Sequence, residues 1–514
     1  MMSLTQLLTN LAAEPTMLVE TTVSNITLDS RKVEKNGLFL SLAVNIEQRQ
    51  TYLQQALTQG AVVVLFDSEQ PLSTEELALC QQAGSAYYAV DDLANNAAEI
   101  AARFYRYPAD KQTIIAVTGT NGKTSVSQFI AQALESLGIA CGVVGTLGVG
   151  RITDLKTTGM TTPDPVTLQA ELAALEHQGV HYVVLEASSH ALEQGRLNSV
   201  SIDIAVYTNL TRDHLDYHQT MANYAAAKQK LFKFESLSTA IINIADEFGQ
   251  TLAQQFSSDE ATLLTYSSHV ENSLASEQHL QASEVTTVPA GIAFKLEQAS
   301  QSVEIKSSLL GRFNVDNLQA ALLVLQACDI DFEAAIEAIT HCQAVEGRMQ
   351  AYGSDNTTAV VIDFAHTPDA LTQALTSLKT HLTSNGQLWC VFGCGGDRDK
   401  GKRALMGKAA QDSAEMLVLT SDNPRSENNE DIVSDIISGI TRTEGVHVEH
   451  DRQQAISFAV QHAASSDIVL VAGKGHEQYQ EIAGVKHAFS DAQAVMTALN
   501  AANDASHRSS EVVL

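Results

Sequence analysis

IIAVTGTNGKTS, residues 114–125, runs from a short apolar stretch into a glycine-rich loop and then into a helical pattern. The pattern predicts a buried strand, a phosphate-binding loop and the start of a helix. Glycines let backbone N–H groups turn toward phosphate oxygens, and the N-terminus of a helix adds partial positive charge. We therefore predict a nucleoside triphosphate site. Its candidate ATP-binding residues are Gly119, Thr120, Asn121, Gly122, Lys123, Thr124 and Ser125.

The loop is a variant of the general pattern G-x-x-x-x-G-K-[ST], which places glycine where this chain has Val117. Lys123 supplies an ammonium group for the phosphates, and the hydroxyl of Thr124 is a candidate ligand of Mg²⁺. Because the loop is a variant, the prediction of ATP binding needs supporting residues elsewhere in the chain. The loop alone is also compatible with a kinase-like phosphotransferase.

Length and composition indicate a globular protein of several domains. The chain has 514 residues, of which 45% are hydrophobic, so two to four domains are expected. Its formal net charge of −29 argues against nucleic acid or an anionic membrane as a partner. Six irregularly spaced cysteines and an N-terminus without a long apolar stretch predict a cytoplasmic protein with no membrane span.

Alternating apolar and helical segments predict a small α/β domain over residues 1–109, followed by a central domain. The first region contains FLSLAV (39–44), a helical segment that stops at Gly60, and AVVVLF (61–66). The central region, 110–342, adds two apolar runs of the length of buried parallel strands. These runs are YVVLEASS (182–189) and IDIAVYTN (202–209). We predict a doubly wound sheet there, with its chemistry at the carboxyl ends of the strands.

A third region, 343–514, repeats the alternation of strand and helix patterns and predicts a second, Rossmann-like α/β sheet. Its candidate strands are VVIDF (360–364), LWCVFG (388–393), MLVLTS (416–421) and IVLVAG (468–473). Residues 255–310 indicate only mixed α/β structure. The fold class expected for the whole chain is therefore α/β in three domains.

Two polar side chains at predicted strand ends are candidate metal ligands. Glu186 ends one strand of the central region, and His214 follows the next strand. A carboxylate and an imidazole beside a phosphate loop suit Mg²⁺, which ordinarily binds one or two protein ligands together with triphosphate oxygens. The alternative for His214 is a hydrogen-bonded histidine at a strand end. Lys228, on the helix that follows, would ordinarily be a solvated charge.

The order and content of the polar motifs resemble the Mur ligase family over nearly the whole chain. The central motifs are TGTNGKTS (118–125), LEASSHALEQGR (185–196), TNLTRDHLDYH (208–218) and NYAAAK (223–228). The later ones are GRFNVDNLQAA (311–321), GRM (347–349), DFAHTPDAL (363–371), CGGDRDKGKR (394–403), SDNPRSE (421–427) and AGKGHE (472–477).

The resemblance implies an ATP-dependent amide ligase of peptidoglycan precursor synthesis, and thereby of cell wall biogenesis, cell shape, cell division and the cell cycle. In the family, ATP phosphorylates a carboxylate to an acyl phosphate, and an amine attacks it. The lysine that matches Lys228 is carbamylated by CO₂, which turns a cation into an oxygen ligand. The implied metal ligands are Thr124, Glu186, His214 and Lys228. The implied catalytic residues are Lys123, His214 and Lys228, and Asn317 and Arg348 are further ATP-binding positions.

The resemblance also assigns residues to the acceptor, a uridine-diphosphate muramoyl dipeptide. The implied positions are Ser30, Thr161, Thr162, Ser188, Gln194 and Arg196, with a surface ion pair as the alternative for Arg196. The first region departs from the family, because relatives carry a glycine-rich nucleotide loop where this chain reads AVNIEQRQ (43–50). The implied partners are small molecules, and the protein is expected to be a monomer.

Asp422-Asn423-Pro424-Arg425 points to the amino acid that is added. In the family this motif accompanies meso-diaminopimelate, which differs from lysine by a second carboxylate. Arg425 can bind that carboxylate through two parallel hydrogen bonds. Lysine lacks the carboxylate, so its binding would leave a buried guanidinium without a partner, and the site should reject it. The implied pocket comprises Arg398, Asp422, Asn423, Pro424, Arg425, Gly473 and Glu477. The alternative for Arg425 is a loop arginine paired with Glu427 or Glu430.

Other functions stay open at this point. The same scaffold could use lysine, or it could belong to another ligase of the superfamily such as folylpolyglutamate synthetase. The DNPR motif and the N-terminal α/β domain oppose both. The chain could also be a catalytically inactive module that binds a nucleotide or a partner. In that case at least one of Lys123, Glu186, His214 and Lys228 should be lost, and all four are present.

Overall fold

The computed structural model describes residues 2–11, 21–42, 45–256, 261–268, 278–288, 291–299, 301–353, 358–383 and 385–511. It divides into two compact units. The first comprises Met1–Thr208, His214–Ile242 and Thr251–Leu264, and the second comprises Asn209–Asp213, Asn243–Gln250 and Thr265–Leu514. The predicted domain boundaries after residues 109 and 342 stay predictions.

The first unit holds a two-stranded antiparallel sheet, a four-stranded parallel sheet and a larger, mostly parallel sheet, together with the helices that connect their strands. Its strands are β1 (Met2–Ser3), β2 (Thr22–Val23), β3 (Asn25–Thr27), β4 (Gly37–Ser41), β5 (Ala61–Asp67), β6 (Ala86–Val90), β7 (Thr113–Thr118), β8 (Cys141–Gly145), β9 (Gly148–Arg151), β10 (Asp154–Lys156), β11 (Tyr182–Glu186), β12 (Ile204–Tyr207) and β13 (Thr239–Asn243). Its helices are α1 (Leu4–Leu8), α2 (Ile46–Gln59), α3 (Thr74–Ala83), α4 (Leu93–Tyr105), α5 (Lys123–Ser136), α6 (Pro165–His177), α7 (Ser189–Glu193), α8 (Leu215–His218) and α9 (Met221–Gln229). Helix α10 (Glu247–Gln255) crosses the division between the units.

The small N-terminal sheet has the parallel order β3-β4-β5-β6. As predicted, FLSLAV contributes to β4, AVVVLF forms most of β5, and α2 ends at Gly60. Strand β4 is buried along its whole length, which explains its continuous apolar sequence. Ala43 and Val44, at the start of the segment that departs from the family, lie outside the described residues.

The larger sheet of the first unit places the phosphate loop between the two strands that were predicted beside it. Its order is β10-β9-β8-β11-β7-β12-β13, and β8, β11, β7, β12 and β13 are parallel. Because β11 and β12 flank β7, their carboxyl ends meet at the edge from which the loop emerges. The predicted α/β fold class is confirmed.

The second unit contains an antiparallel meander and a mostly parallel sheet. Its strands are β14 (Thr262–Ser267, which begins in the first unit), β15 (His279–Val288), β16 (Gly291–Gln298), β17 (Gln301–Ser307), β18 (Gln350–Tyr352), β19 (Ala359–Asp363), β20 (Leu388–Phe392), β21 (Met416–Leu419), β22 (Val446–Val448), β23 (Ile468–Ala472), β24 (Tyr479–Ile482) and β25 (Val485–Ala488). Its helices are α11 (Phe313–Ala327), α12 (Phe332–Thr340), α13 (Pro368–Lys379), α14 (Gly401–Ser413), α15 (Asn429–Ile437), α16 (Arg452–His462) and α17 (Asp491–Glu511).

The sheet of the second unit has the order β18-β19-β23-β20-β21-β22. All of its pairs are parallel except that of the edge strand β18. The four apolar runs predicted as strands form β19, β20, β21 and β23. Since β23, β20 and β21 are neighbours, the segments that follow them converge at one edge of the sheet. These segments carry the residues predicted to bind the amino acid.

Candidate active site

The phosphate loop has the backbone that its glycines predict. Gly119 has φ 153° and Gly122 has φ 87°, values in the left-handed region that side chains rarely adopt. Helix α5 begins at Lys123, whose Nζ donates hydrogen bonds to the carbonyl oxygens of Gly119 and Thr120, each at 2.8 Å. The loop is also anchored by Thr208, whose hydroxyl donates to the carbonyl of Asn121 at 2.6 Å. The ammonium group therefore lies at the loop, where phosphate would bind.

Glu186 is the centre of a buried hydrogen-bond network at the end of β11. Its side chain is 1% exposed. The hydroxyl of Thr124 donates to Oε2 at 2.9 Å, and so does the hydroxyl of Thr146, at 3.0 Å. The backbone N–H of Thr146 donates to Oε1 at 2.9 Å. Two of the four predicted metal ligands, Thr124 and Glu186, are therefore in direct contact.

Gly145 is the residue that allows this close approach. A Cβ built on Gly145 would lie 2.2 Å from Oε1 of Glu186, far inside any normal contact. Gly145 ends β8, which pairs with β11. Neither Gly145 nor Thr146 was a sequence-predicted site residue, because their contact with Glu186 follows from strand adjacency and has no local sequence signal.

Lys228 is buried against the phosphate loop. It is 1% exposed, its Nζ donates to the carbonyl of Gly119 at 2.7 Å, and the ammonium lies 4.3 Å from the ring centroid of Tyr224. The hydroxyl of Tyr224 in turn donates to Oγ1 of Thr120 at 3.2 Å. The structure therefore rejects the interpretation of Lys228 as a solvated surface charge.

His214 belongs to a cluster of rings beside this loop. Its ring lies 4.9 Å from that of His190 and 6.0 Å from that of Tyr224, measured between centroids. His214 has φ 53° and precedes α8. His218, in the same cluster, is hydrogen-bonded to the hydroxyl of Ser189 at 2.9 Å. Burial and the neighbouring His190 lower the pKa of His218.

The predicted dipeptide residues are connected to Glu186 through hydroxyl groups. The hydroxyl of Thr162 donates to the carbonyl of Glu186 at 2.6 Å and lies 3.0 Å from the hydroxyl of Ser188. The hydroxyl of Thr161 lies 3.0 Å from that of Thr146, which contacts the carboxylate of Glu186 directly. This part of the predicted site is therefore continuous with the predicted metal ligands.

Arg196 extends the same surface. Its Nη1 donates to the carbonyl of Thr162 at 2.7 Å, and Nε donates to Oε1 of Gln194 at 2.9 Å. Nε2 of Gln194 donates to the hydroxyl of Tyr217 at 3.1 Å. Burial lowers the pKa of the Arg196 guanidinium. The hydrogen-bond partners of Arg196 are thus neutral groups. The alternative of a surface ion pair is wrong.

Ser30 lies beside the small N-terminal sheet, far in sequence from the phosphate loop. It is 4% exposed, and its hydroxyl donates to Oε1 of Gln55 at 2.8 Å. The contact holds the short 3₁₀ turn Ser30–Lys32 against α2. The role of Ser30 toward uridine stays a prediction.

Asn317 and Arg348, the two ATP positions outside the loop, lie in the second unit. Asn317 is on α11 and donates from Nδ2 to Oδ1 of Asn314 at 2.8 Å. The guanidinium of Arg348 lies 4.6 Å from the ring centroid of Phe364. Asn317 therefore lies within a helix and Arg348 in the turn that precedes β18, and their assignment to ATP stays a prediction.

The residues predicted to bind the added amino acid gather at the carboxyl ends of β20, β21 and β23. Nδ2 of Asn423 donates to Oε2 of Glu477 at 2.8 Å. A Cβ on Gly473 would lie 2.6 Å from Oδ2 of Asp422, so these two positions are in close approach. Arg398 is exposed, and its Nη1 donates to the carbonyl of Asp397 at 3.3 Å.

Arg425 is held at the same edge of the sheet by two contacts. Its Nη1 donates to the carbonyl of Gly396 at 2.7 Å, and its Nε lies 3.4 Å from Oε2 of Glu481. Glu427 is instead paired with Arg403 and Lys400. The alternative of a loop arginine paired with an acidic residue is therefore what the structure contains, with Glu481 as the partner in place of Glu427 or Glu430. Pro424 precedes Arg425, and its carbonyl packs on Gly396, where a Cβ would lie 1.9 Å away.

Within the described part of the chain, no helix is both long and apolar enough to cross a bilayer.

Two family models match the chain. The Mur ligase middle domain matches residues 117–325, and the Mur ligase, glutamate ligase domain matches residues 347–475. The first match contains the phosphate loop, Glu186, His214 and Lys228. The second contains Arg348, Asp422, Asn423 and Arg425.

Curated relatives match over nearly their whole length. The chain is 42% identical over 492 residues to the UDP-N-acetylmuramoyl-L-alanyl-D-glutamate--2,6-diaminopimelate ligase of Ectopseudomonas mendocina, with 95% of this chain and 96% of the relative covered. It is 43% identical over 499 residues to the ligase of the same name from Xanthomonas campestris, with 97% of each chain covered.

Solved structures agree with these sequence relatives. A structure of UDP-N-acetylmuramoyl-L-alanyl-D-glutamate--2,6-diaminopimelate ligase aligns with a TM-score of 0.66 and 40% identity, covering 93% of this chain and 95% of the other. UDP-N-acetylmuramoylalanyl-D-glutamyl-2,6-diaminopimelate--D-alanyl-D-alanyl ligase from Acinetobacter baumannii aligns with a TM-score of 0.62 over 97% of each chain, at 16% identity, and shares the fold. The resemblance drawn from the motifs is confirmed, and the chain belongs to the Mur ligase family.

Proposed function

We propose that this protein is the ATP-dependent ligase that adds meso-2,6-diaminopimelate to UDP-N-acetylmuramoyl-L-alanyl-D-glutamate in peptidoglycan precursor synthesis. The observation that carries the proposal is the Asp422–Arg425 segment at the edge of the C-terminal sheet, where Arg425 supplies a positive charge, Glu477 a negative charge and Asn423 a hydrogen-bonding amide. Support comes from the diaminopimelate ligases named above, which are 42% to 43% identical to this chain over nearly its whole length.

The chemistry requires positioning and charge neutralisation, and the residues of the first unit suit both tasks. The γ-phosphoryl group of ATP passes to the acceptor carboxylate, which gives an acyl phosphate and ADP. The amine of the added amino acid then attacks the carbonyl carbon, and inorganic phosphate leaves as the amide forms. Lys123 and the loop N–H groups would hold the triphosphate, and Thr161, Thr162, Ser188, Gln194 and Arg196 would hold the acceptor.

The residues around Glu186 fit Mg²⁺ by their chemistry. Mg²⁺ is ordinarily bound through one or two carboxylates together with phosphate oxygens and water. The described residues contain no cage of three or more histidine, cysteine or carboxylate side chains, which agrees with a site completed by the nucleotide. Thr124, Glu186 and His214 would hold the ion, whose contribution is to neutralise charge on the phosphates.

Lys228 fits this set only after modification. An ammonium group is a hydrogen-bond donor without a lone pair and repels a cation. The amine can instead attack CO₂, which forms an N–C bond and releases a proton, and the resulting carbamate presents anionic oxygens. Burial of Lys228 beside the loop, at 1% exposure, supports the proposal that this lysine is carbamylated.

Gly145→Ala tests the position of the Glu186 carboxylate without changing any charged group. The new methyl would meet Oε1 at 2.2 Å, so the carboxylate must turn away from Thr124 and Thr146. Hydrogen bonds to a charged acceptor are worth about 1.5 to 3 kcal/mol each, so we expect kcat to fall about tenfold or more. Steady-state kinetics measure the loss of kcat, and the thermal unfolding midpoint measures the accompanying cost in stability.

Gly142→Ala is the matched control, because it adds a methyl to the same strand. There the Cβ would meet Cδ1 of Leu175 at 2.8 Å, a side chain that can shift. We expect its kcat to stay near that of the wild type at a similar cost in stability. Equal losses of kcat in the two variants would contradict the positioning role of Gly145.

The second candidate is the same ligase with L-lysine as the added amino acid. The presence of Arg425 opposes it, because lysine has no second carboxylate to pair with that guanidinium. A single assay distinguishes the two: purified protein with ATP, Mg²⁺, the muramoyl dipeptide substrate and either diaminopimelate or lysine, with the mass of the product measured. Product formed only with lysine, or with neither, would contradict the proposal.

The remaining assignments follow from the proposed reaction. Its substrates are soluble nucleotides and amino acids, so we place the protein in the cytoplasm and assign it to cell wall biogenesis, with consequences for cell shape, division and the cell cycle. We also propose that it acts as a monomer, which light scattering at assay concentrations would test.

A further inference from the structure

Lys474 is a fully buried cation that the proposed reaction does not yet use. It follows β23 and is 0% exposed. Its Nζ donates to Oδ1 of Asn423 at 3.1 Å and to Oε2 of Glu477 at 2.8 Å. Burying a lysine is costly unless the charge is paired, so a solvent-facing role is excluded. Both of its partners are residues proposed to bind the added amino acid.

The contact fixes which way the amide of Asn423 points. Lysine and a backbone N–H can only donate, and Oδ1 of Asn423 accepts from both Lys474 and the N–H of Glu481, the latter at 2.9 Å. Nδ2 is thereby directed toward Glu477, to which it donates at 2.8 Å. Without Lys474, one of the two donors that set this orientation is lost.

The same ammonium sets the position and charge of Glu477. Oε2 accepts hydrogen bonds from both Lys474 and Asn423. Among the described residues Oε1 has no hydrogen-bond partner, and the Glu477 side chain is 23% exposed. The carboxylate therefore keeps one oxygen for an ammonium group of a ligand. Lys474 also offsets the negative charge of Glu477, with which it forms a salt bridge at 2.8 Å.

From these contacts we infer that Lys474 is a positioning residue for the added amino acid. It acts through Asn423 and Glu477 and holds them in the orientation that receives the amine end of the substrate. The inference rests on the proposed function, because it names the residue that organises the pocket of that reaction. It predicts a change in KM for the added amino acid and no change in KM for ATP.

Lys474→Met removes the charge and both hydrogen bonds while keeping an unbranched side chain of similar size. We expect KM for diaminopimelate to rise about tenfold or more, with KM for ATP within about twofold of the wild type. Lys474→Gln keeps an N–H donor and should give a smaller rise. In a Glu477→Gln background, Lys474→Met should add much less than it does alone, because the two residues act as a unit.

Ile456→Ala is the stability control. Ile456 lies on α16 and is fully buried in an apolar cluster of the second unit. Its truncation leaves a cavity there and so destabilises the unit that contains Lys474. Its KM for diaminopimelate should not change selectively. If Lys474→Met is compared with this control at a similar unfolding midpoint, a selective rise in KM supports positioning.

Three kinetic outcomes would overturn the inference. They are an unchanged KM for diaminopimelate in Lys474→Met, equal changes for ATP and diaminopimelate, and full additivity with Glu477→Gln. If neither Lys474 variant folds while Ile456→Ala does, Lys474 is a structural residue and the inference is wrong. A wild-type protein that forms no product with diaminopimelate would instead contradict the proposed function.

Discussion

Lys228→Ala is expected to reduce turnover about a thousandfold or more. The proposed carbamate would supply an oxygen ligand to the metal ion, and charge stabilisation by a bound metal is worth several kcal/mol, at about 1.4 kcal/mol per factor of ten. The side chain is buried against the phosphate loop, where its Nζ donates to the carbonyl of Gly119. Single-turnover kinetics with saturating ATP would measure the loss at the chemical step.

The carbamate itself has two further readouts. Added formate or acetate should restore part of the activity of Lys228→Ala, since a small carboxylate can occupy the space that the side chain leaves. Isotope-labelled bicarbonate should give a carbamate signal by NMR in the wild type and none in the variant. Full activity in the variant with unchanged Mg²⁺ affinity would remove Lys228 from the mechanism.

Lys230→Ala is the matched control for this prediction. Lys230 lies two positions further along the chain, is 46% exposed and pairs with Glu193 at 2.8 Å. Exposed ion pairs contribute about 0 to 1 kcal/mol, so its removal should leave turnover near the wild-type value. Equal losses in the two variants would indicate disruption of the local helix and would not support a metal ligand.

The elements that the sequence predicted well are those in which local pattern and burial coincide. β11 and β23 are buried on both faces, and their continuous apolar runs predict strands directly. The phosphate loop was also predictable, because the positive φ angles of Gly119 and Gly122 require glycine at those positions. In each case the physical requirement acts within a few consecutive residues.

The meander of the second unit could have been predicted from a period of two. In β16, Ile292, Phe294 and Leu296 are buried at 1%, 2% and 1% exposure and alternate with less buried residues. This alternation is typical of a half-buried antiparallel strand. Residues 255–310 nevertheless support only a prediction of mixed α/β structure, because they lack the long continuous apolar runs that mark buried parallel strands.

Site residues that depend on strand order could not be predicted from local sequence. Thr146 contacts Glu186 only because β8 pairs with β11. Lys474 contacts Asn423 across 51 positions of sequence because the ends of β21 and β23 lie at one edge of the sheet. Such contacts are set by tertiary packing, and the residues next to a loop lysine or threonine in the sequence do not indicate which distant residue it contacts.

Arg425→Ala is the sharpest test of amino-acid specificity. If the guanidinium binds the distal carboxylate of diaminopimelate, its removal should cost about 2 to 3 kcal/mol in kcat/KM for that substrate. We take the lower part of the range for a broken charge pair, because the Arg425 side chain is 21% exposed. The measurement is kcat/KM for diaminopimelate and for lysine with the same enzyme preparations.

Lysine is the internal control, because it has no distal carboxylate to lose. Its use should change little, since the guanidinium already pairs with Glu481 and lysine brings no distal carboxylate to it, and KM for ATP should stay near the wild-type value. Arg425 also donates to the carbonyl of Gly396 and lies beside Glu481, so a purely structural role is the competing explanation. That role would lower kcat/KM equally for both amino acids and would shift the unfolding midpoint in parallel. A loss confined to diaminopimelate, at an unchanged midpoint, can arise only if Arg425 contacts the group that distinguishes the two substrates.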